Sequence, residues 1–447
     1  MRVFTCHTGV PMKIILLAIG VFGAALVLAS TPPSRSGIDA PELARLGSGA
    51  VGVKTLHLVQ HAQTDVLAYD AAKGAAPLAD RRLTVDVWYP ARAAPSAPRV
   101  VYAASLPSEP PAPPAQFSIP GIAVRDTPTL GMHHPLVIVS HGYSNDPAAM
   151  TWLTENLASK GYVVAAIHHD DPPITDRARV AQPVMRRPLD IAFVAQSLQS
   201  TLAADHLVDP ARTALVGYSM GGYGVLTAAG ATLDPDGGVV KAVPGGLMQP
   251  YARGGALRDA LTVKGLLAVV AISPAGGGPM AAWGAEGVRM ITAPLLLIAG
   301  DHDRTVDYTT GARAFFDMAS GTHRYLLTFK EGGHAIGLNP APNSMRARLW
   351  DQDWFEDPVW RKERINAINA HFITAFLDRY VRGDESRAAY LDVAAAGSSD
   401  GAWPATTPPL AYDAYSPGSP GVAVWKGFQR NHAAGLELLQ AQVRPTQ

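Results

Sequence analysis

From Leu83 to Trp88 the chain alternates, with Leu83, Val85 and Val87 on one side and Thr84, Asp86 and Trp88 on the other. A period of two predicts a strand over 83–89. Residues 52–60 predict a second strand, its antiparallel partner at a sheet edge. From Pro135 the texture changes, and short apolar runs alternate with amphipathic stretches, as parallel βαβ units require. Strands are expected at 136–139, 162–167, 213–216, 266–272, 294–298 and 325–329. Helices are expected at 147–160, 188–204, 220–229, 307–318 and 358–380. The implied fold class is α/β, a mostly parallel central sheet with helices on both faces.

Three stretches break this rhythm. After Lys13 an apolar run over 14–28 has the length of an export-signal core and is short for a bilayer span. It predicts a signal peptide over 1–30, cleaved near Ala29 or Ser30, with an uncleaved anchor as the alternative and Met12 competing with Met1 as the start. Residues 31–50 read as a flexible linker and 51–383 as the main domain. Within that domain, 91–132 reads as a long loop, because Pro107, Pro110, Pro111, Pro113 and Pro114 suit neither a ladder nor a helix interior. Residues 384–447 read as a C-terminal appendage with a strand candidate at 422–425 and a helix-like segment at 430–443.

Composition narrows the function classes. Of 447 residues, 48% are hydrophobic and 17% charged, an ordinary globular balance that argues against disorder of the whole chain. Lys and Arg number 37, as do Asp and Glu, so no global field draws nucleic acid or an anionic membrane. The one cysteine, Cys6, lies in the leader. The exported chain is therefore expected to have neither a disulfide nor a thiol nucleophile.

The chemistry concentrates at Gly217-Tyr218-Ser219-Met220-Gly221, a G-x-S-x-G run between a predicted strand and a predicted helix. Flanking glycines permit a strained strand-to-helix turn that exposes the serine hydroxyl. The same pattern recurs at Gly397-Ser398-Ser399-Asp400-Gly401, but without that context, and Ser399 reads as a loop residue. Serine needs a base, and the base needs a carboxylate to fix its tautomer. In chain order the candidates are Asp301 and Asp303, after the strand at 294–298, and His334, after the strand at 325–329. One aspartate is expected to serve only the turn. Acyl transfer also needs oxyanion donors, each worth about 3 to 4 kcal/mol. The backbone amides of Met220 and Tyr143 stand in the expected places, with His141 and Gly142 shaping the second loop.

Other candidates read more plainly. His168, His169, Asp170 and Asp171 suggest metal ligands by type, but adjacent side chains of an extended segment point apart, so they read as loop residues near the pocket. Trp283, Trp350, Trp354 and Trp360 read as packing residues. Arg186 and Arg187 read as a solvated face before a helix.

These residues resemble the α/β-hydrolase superfamily, and within it predicted dienelactone hydrolases and bacterial relatives of platelet-activating-factor acetylhydrolases. The likeness runs from about Leu83 to Tyr380, on Val87-Trp88-Tyr89-Pro90, Ser140-His141-Gly142-Tyr143, Gly161-Tyr162-Val163-Val164, the Ser219 run, Gly300-Asp301-His302-Asp303 and Gly332-Gly333-His334. The nucleophile segment is also similar to that of secreted cutinase-like polyester hydrolases, although the chain lacks their C-terminal disulfide. The resemblance implies a triad of Ser219, Asp303 and His334, with Asp303 preferred to Asp301. It implies a serine ester hydrolase that works through an acyl-enzyme, and the leader implies its export to the periplasm or medium. No cofactor and no metal are expected. The expected partner is a small-molecule ester, with no nucleic acid and no stable membrane partner apart from an N-terminal anchor. A serine peptidase or amidase on the same fold, and a non-catalytic binding protein, are the alternatives.

Overall fold

A computed structural model describes residues 37, 39–401, 424–429 and 432–443. Its strands are β1 (Ala50–Thr64), β2 (Leu78–Ala91), β3 (Val101–Leu106), β4 (Ala115–Pro120), β5 (Val124–Arg125), β6 (His134–Ser140), β7 (Val163–His168), β8 (Val208–Tyr218), β9 (Leu266–Ile272), β10 (Leu295–Gly300), β11 (Arg324–Phe329) and β12 (Leu436–Ala441). Ten form one sheet in the order β12-β11-β10-β9-β8-β6-β7-β2-β1-β5. From β11 to β7 every neighbouring pair is parallel. β2 joins β7 antiparallel, and β1 joins β2 the same way.

The parallel strands carry near-continuous apolar runs, such as Leu136–Val139 in β6, Ala214–Val216 in β8 and Leu295–Ala299 in β10, because both faces are covered there. Leu136 and Ile138 of β6 face one core with the helices Ala181–Ala204 and Met220–Ala228, while Val137 and Val139 face another with Thr151–Ser159 and Lys362–Arg382. The result is the three-layer α/β-hydrolase fold.

Several expectations need correction. Residues 91–132 are not one long loop: β3 and β4 pair as an antiparallel hairpin, and β5 pairs with β1. The five prolines all fall between β3 and β4, outside the ladder they would break. The described part of 31–50 is docked, not loose. Leu43 donates its amide to His371 Nδ1 at 3.1 Å, and Asn156 Nδ2 donates to the Ala44 carbonyl at 2.9 Å. Residues 436–441 are a strand, not a helix, paired antiparallel with β11. That strand makes the tail part of the main sheet. The strand candidate at 422–425 lies partly outside the described residues, and Val424 and Trp425 are irregular.

The Ala181–Ala204 helix begins seven residues before Pro188, which sits inside it. Proline cannot donate to the carbonyl four residues back. The Tyr223 hydroxyl serves that carbonyl instead, donating to Val184 O at 3.0 Å.

Candidate active site

Four loops leave the carboxyl ends of β6, β8, β10 and β11 and meet at one edge of the sheet. Ser219 follows β8 directly with φ 55° and ψ −116°, a left-handed conformation that costs on the order of 1–3 kcal/mol in a non-glycine residue. The surrounding backbone holds it there. A Cβ on Gly221 would stand 2.0 Å from the Ser140 carbonyl oxygen, so only glycine lets the helix start so close to the β6 loop. Ser219 stands at the N-cap position of the Met220–Ala228 helix, without a side-chain capping bond, and is half-buried.

Ser219 Oγ lies 3.0 Å from His334 Nε2, and His334 Nδ1 lies 2.7 Å from Asp303 Oδ2. The other Asp303 oxygen accepts the amides of Thr305 at 2.9 Å and Val306 at 3.1 Å. Burial opposes the charge on Asp303, but the His334 contact and these two amides outweigh it and hold the carboxyl below its ordinary range. The His334 side chain keeps 18% exposure against 1% for Asp303, so the imidazole is the member open to an incoming molecule.

Asp301 takes a different place. Its Oδ1 accepts the Glu331 amide at 2.6 Å, at a residue with φ 60°, and sits 3.0 Å from His302 Nδ1. It ties the histidine loop to the β10 loop without touching His334.

Residues that the sequence did not single out hold the His334 loop. Asp357 Oδ2 accepts the Gly333 amide at 2.7 Å, and the buried Lys362 ammonium group donates to the Ala335 carbonyl. The Tyr218 hydroxyl donates to the His334 carbonyl at 3.2 Å, with its ring 5.3 Å from the imidazole. Only Tyr218 carried a usable signal, its place beside Ser219.

Met220 opens its helix, where the first amides lack intrahelical partners. On the other side, a Cβ on Gly142 would stand 3.5 Å from Ser219 Cβ, which brings the loop carrying Tyr143 against the serine. Arg186 and Arg187 are not a solvated face. They are 4% and 0% exposed, and Arg187 donates to the carbonyls of His141 and Gly142.

The run 168–171 disperses. His168 Nε2 meets Asp86 Oδ2 at 2.9 Å, His169 lies between Ser140 and Asp190, Asp171 meets Arg187, and Asp170 is exposed. Among the described residues, no group of three or more His, Cys, Asp or Glu is placed to hold a metal. Ser399 sits exposed in a turn beside the Gly397–Glu437 bridge. Trp283 is buried against Tyr223, Trp354 donates to the Pro107 carbonyl, and Trp360 donates to that of Lys330. Trp350 remains 40% exposed.

A family model described as PET hydrolase-like matches residues 124–244, which include Tyr143, Ser219 and Met220 but neither Asp303 nor His334. Cutinase est2 of Thermobifida alba is 25% identical over 200 residues, 44% of this chain and 52% of that protein. Cutinase 2 of Thermobifida cellulosilytica is 34% identical over 94 residues, 21% of this chain and 33% of that protein. These likenesses and the sheet order support an esterase family of the α/β-hydrolase fold. The chain spans about half the length of the first cutinase it matches. These likenesses do not bear on the dienelactone hydrolase branch. A solved structure titled ferulic acid esterase from Streptomyces cinnamoneus aligns at TM-score 0.49 and 21% identity, covering 79% of this chain and 94% of that one. No helix among the described residues is long and apolar enough to cross a membrane, and the apolar run at 14–28 lies outside them.

Proposed function

We propose that this α/β-hydrolase cleaves carboxylic esters through an acyl-enzyme on Ser219. The observation that carries the reading is the unbroken contact chain from Ser219 Oγ through His334 to Asp303, with the serine in a strained elbow at the sheet edge. His334 Nε2 takes the hydroxyl proton as Oγ attacks the ester carbon. Asp303 keeps the Nδ1 proton facing itself and stabilises the imidazolium that forms. The amides of Tyr143 and Met220 receive the oxyanion, and His334 returns its proton to the leaving alkoxide. Water then repeats the sequence, with His334 as base, and releases the acid. No step calls on a cofactor or a metal.

The cutinase and PET hydrolase-like relatives favour an ester over an amide substrate. The apolar run before Ala29 supports export to the periplasm or medium.

A fluorophosphonate probe is expected to label Ser219 and not Ser399, as read by mass mapping, with p-nitrophenyl ester turnover lost in Ser219→Ala and unaffected by EDTA. Labelling at Ser399, or ester turnover surviving in Ser219→Ala, would overturn the reading.

A further inference from the structure

Arg187 holds the loop after β6 from inside the molecule, yet the chemistry above gives it no part. Its Nη1 donates to the His141 carbonyl and to Ser140 Oγ at 3.2 Å. Its Nη2 donates to the Gly142 carbonyl at 2.9 Å and to the Asp171 carboxylate, which balances the buried charge.

Ser140 itself is fixed by a second serine, histidine and aspartate set. Ser140 Oγ lies 2.9 Å from His169 Nε2, and His169 Nδ1 lies 3.2 Å from Asp190 Oδ2. The contacts repeat those of Ser219, but the three residues are 0%, 1% and 0% exposed, so no substrate reaches Ser140. Burial, with help from the Arg187 charge, pulls His169 down to about 4, which leaves it neutral near pH 7. A neutral ring that donates from Nδ1 to Asp190 must accept at Nε2. The Ser140 proton then points to His169, and its lone pairs face Arg187.

We propose that Arg187 is a positioning residue that aims the Tyr143 amide at the oxyanion. A trans peptide is planar, so the carbonyl of Gly142 and the N–H of Tyr143 point in opposite directions. The guanidinium, together with His141 Nδ1 at 2.7 Å and the Asn145 amide at 3.2 Å, ties that carbonyl down and turns the Tyr143 amide to the far side of the peptide plane, out of the interior. Gly142 makes its close approach to Ser219 in this same loop. One planar fork spanning two successive carbonyls is a task that a lysine ammonium cannot reproduce.

The inference rests on Ser219 being the nucleophile, so its test counts active sites first. Active sites in Arg187→Lys and Ser140→Ala are titrated to completion with a fluorophosphonate, and p-nitrophenyl butyrate turnover is expressed per titrated site. An oxyanion donor acts in the transition state, so kcat per site is expected to fall about ten- to a hundredfold in Arg187→Lys with KM within about twofold. Affinity for phenylboronic acid, whose tetrahedral adduct mimics the intermediate, is expected to weaken by a similar factor. Ser140→Ala, which removes only the support, is expected to lose about three- to tenfold. A merely structural role would lower the number of titrated sites and leave turnover per site and boronate affinity unchanged, and that result would overturn the proposal. If Arg187→Lys does not fold, Ser140→Ala decides alone by the same two readouts. Activity surviving in Ser219→Ala would instead sink the nucleophile reading.

Discussion

Asp301 and Asp303 are separated by one residue, yet they do unlike work. Asp303 spends one oxygen on His334 and the other on two backbone amides, which fixes its direction. Asp301 closes a turn against Glu331. An amide at position 303 retains an acceptor but can support the wrong imidazole tautomer, a change that costs about 10⁴-fold in a well-studied triad. Asp303→Asn is therefore expected to lower kcat by about three to four orders of magnitude, while Asp301→Asn, which keeps an oxygen for the Glu331 amide, loses about tenfold or less. Steady-state kinetics on both folded variants decide between them. Greater damage in Asp301→Asn would reverse the assignment.

At the scale of elements, periodicity exposed the parallel strands because each is a buried apolar run bounded by turn residues. The loops bearing Ser219, Asp303 and His334 followed from those strand ends. Short or doubly used segments were harder to read. Leu436, Leu438 and Leu439 suit a helix face as readily as a strand, and only the free edge of β11 decides the matter. Pro188 resembled the first residue of a helix, which placed Arg186 and Arg187 outside it. Their burial depends on Asp171, Asp190 and two loop carbonyls that are distant in the chain or carry no sequence signature. The strand assignment has a measurable consequence at Leu438, which is 1% exposed within β12. Leu438→Ala is expected to destabilise the protein by about 2–5 kcal/mol in urea unfolding, as for other buried leucines. A change below about 0.5 kcal/mol, typical of a surface site, would mean that the tail does not share the core.

For the whole molecule, two lysines, Lys362 buried and Lys160 half-buried, set how stability responds to pH. Lys160 ties Leu43, Asn156 and Thr374 together, with contacts of 2.6 to 2.8 Å, and Lys362 donates to the carbonyl of Ala335 beside His334. Burial pulls both ammonium groups down to about 7. An unfolded lysine titrates at about 10.4, so between about pH 7 and 10 the unfolded chain binds more protons than the folded one. Stability must then rise with pH through that window, by up to about 1.4 kcal/mol per pH unit for each lysine. Above about pH 10 the sign reverses. Burial raises Tyr102, Tyr162, Tyr218 and Tyr223, which keep their protons in the fold after an unfolded tyrosine has lost its own. At the acid end, burial holds His371 at about 3 and His169 at about 4, so stability falls as pH drops below about 6.5, where unfolded histidines take up protons. Maximum stability is accordingly expected near pH 9 to 10, above the usual range of about 5 to 8. Urea unfolding at pH 7, 8 and 9 reads the slope directly, and Lys362→Met should flatten it by one lysine's share. A wild-type slope of zero, or one that falls between pH 7 and 9, would mean that both lysines stay charged inside the fold and would overturn the expectation.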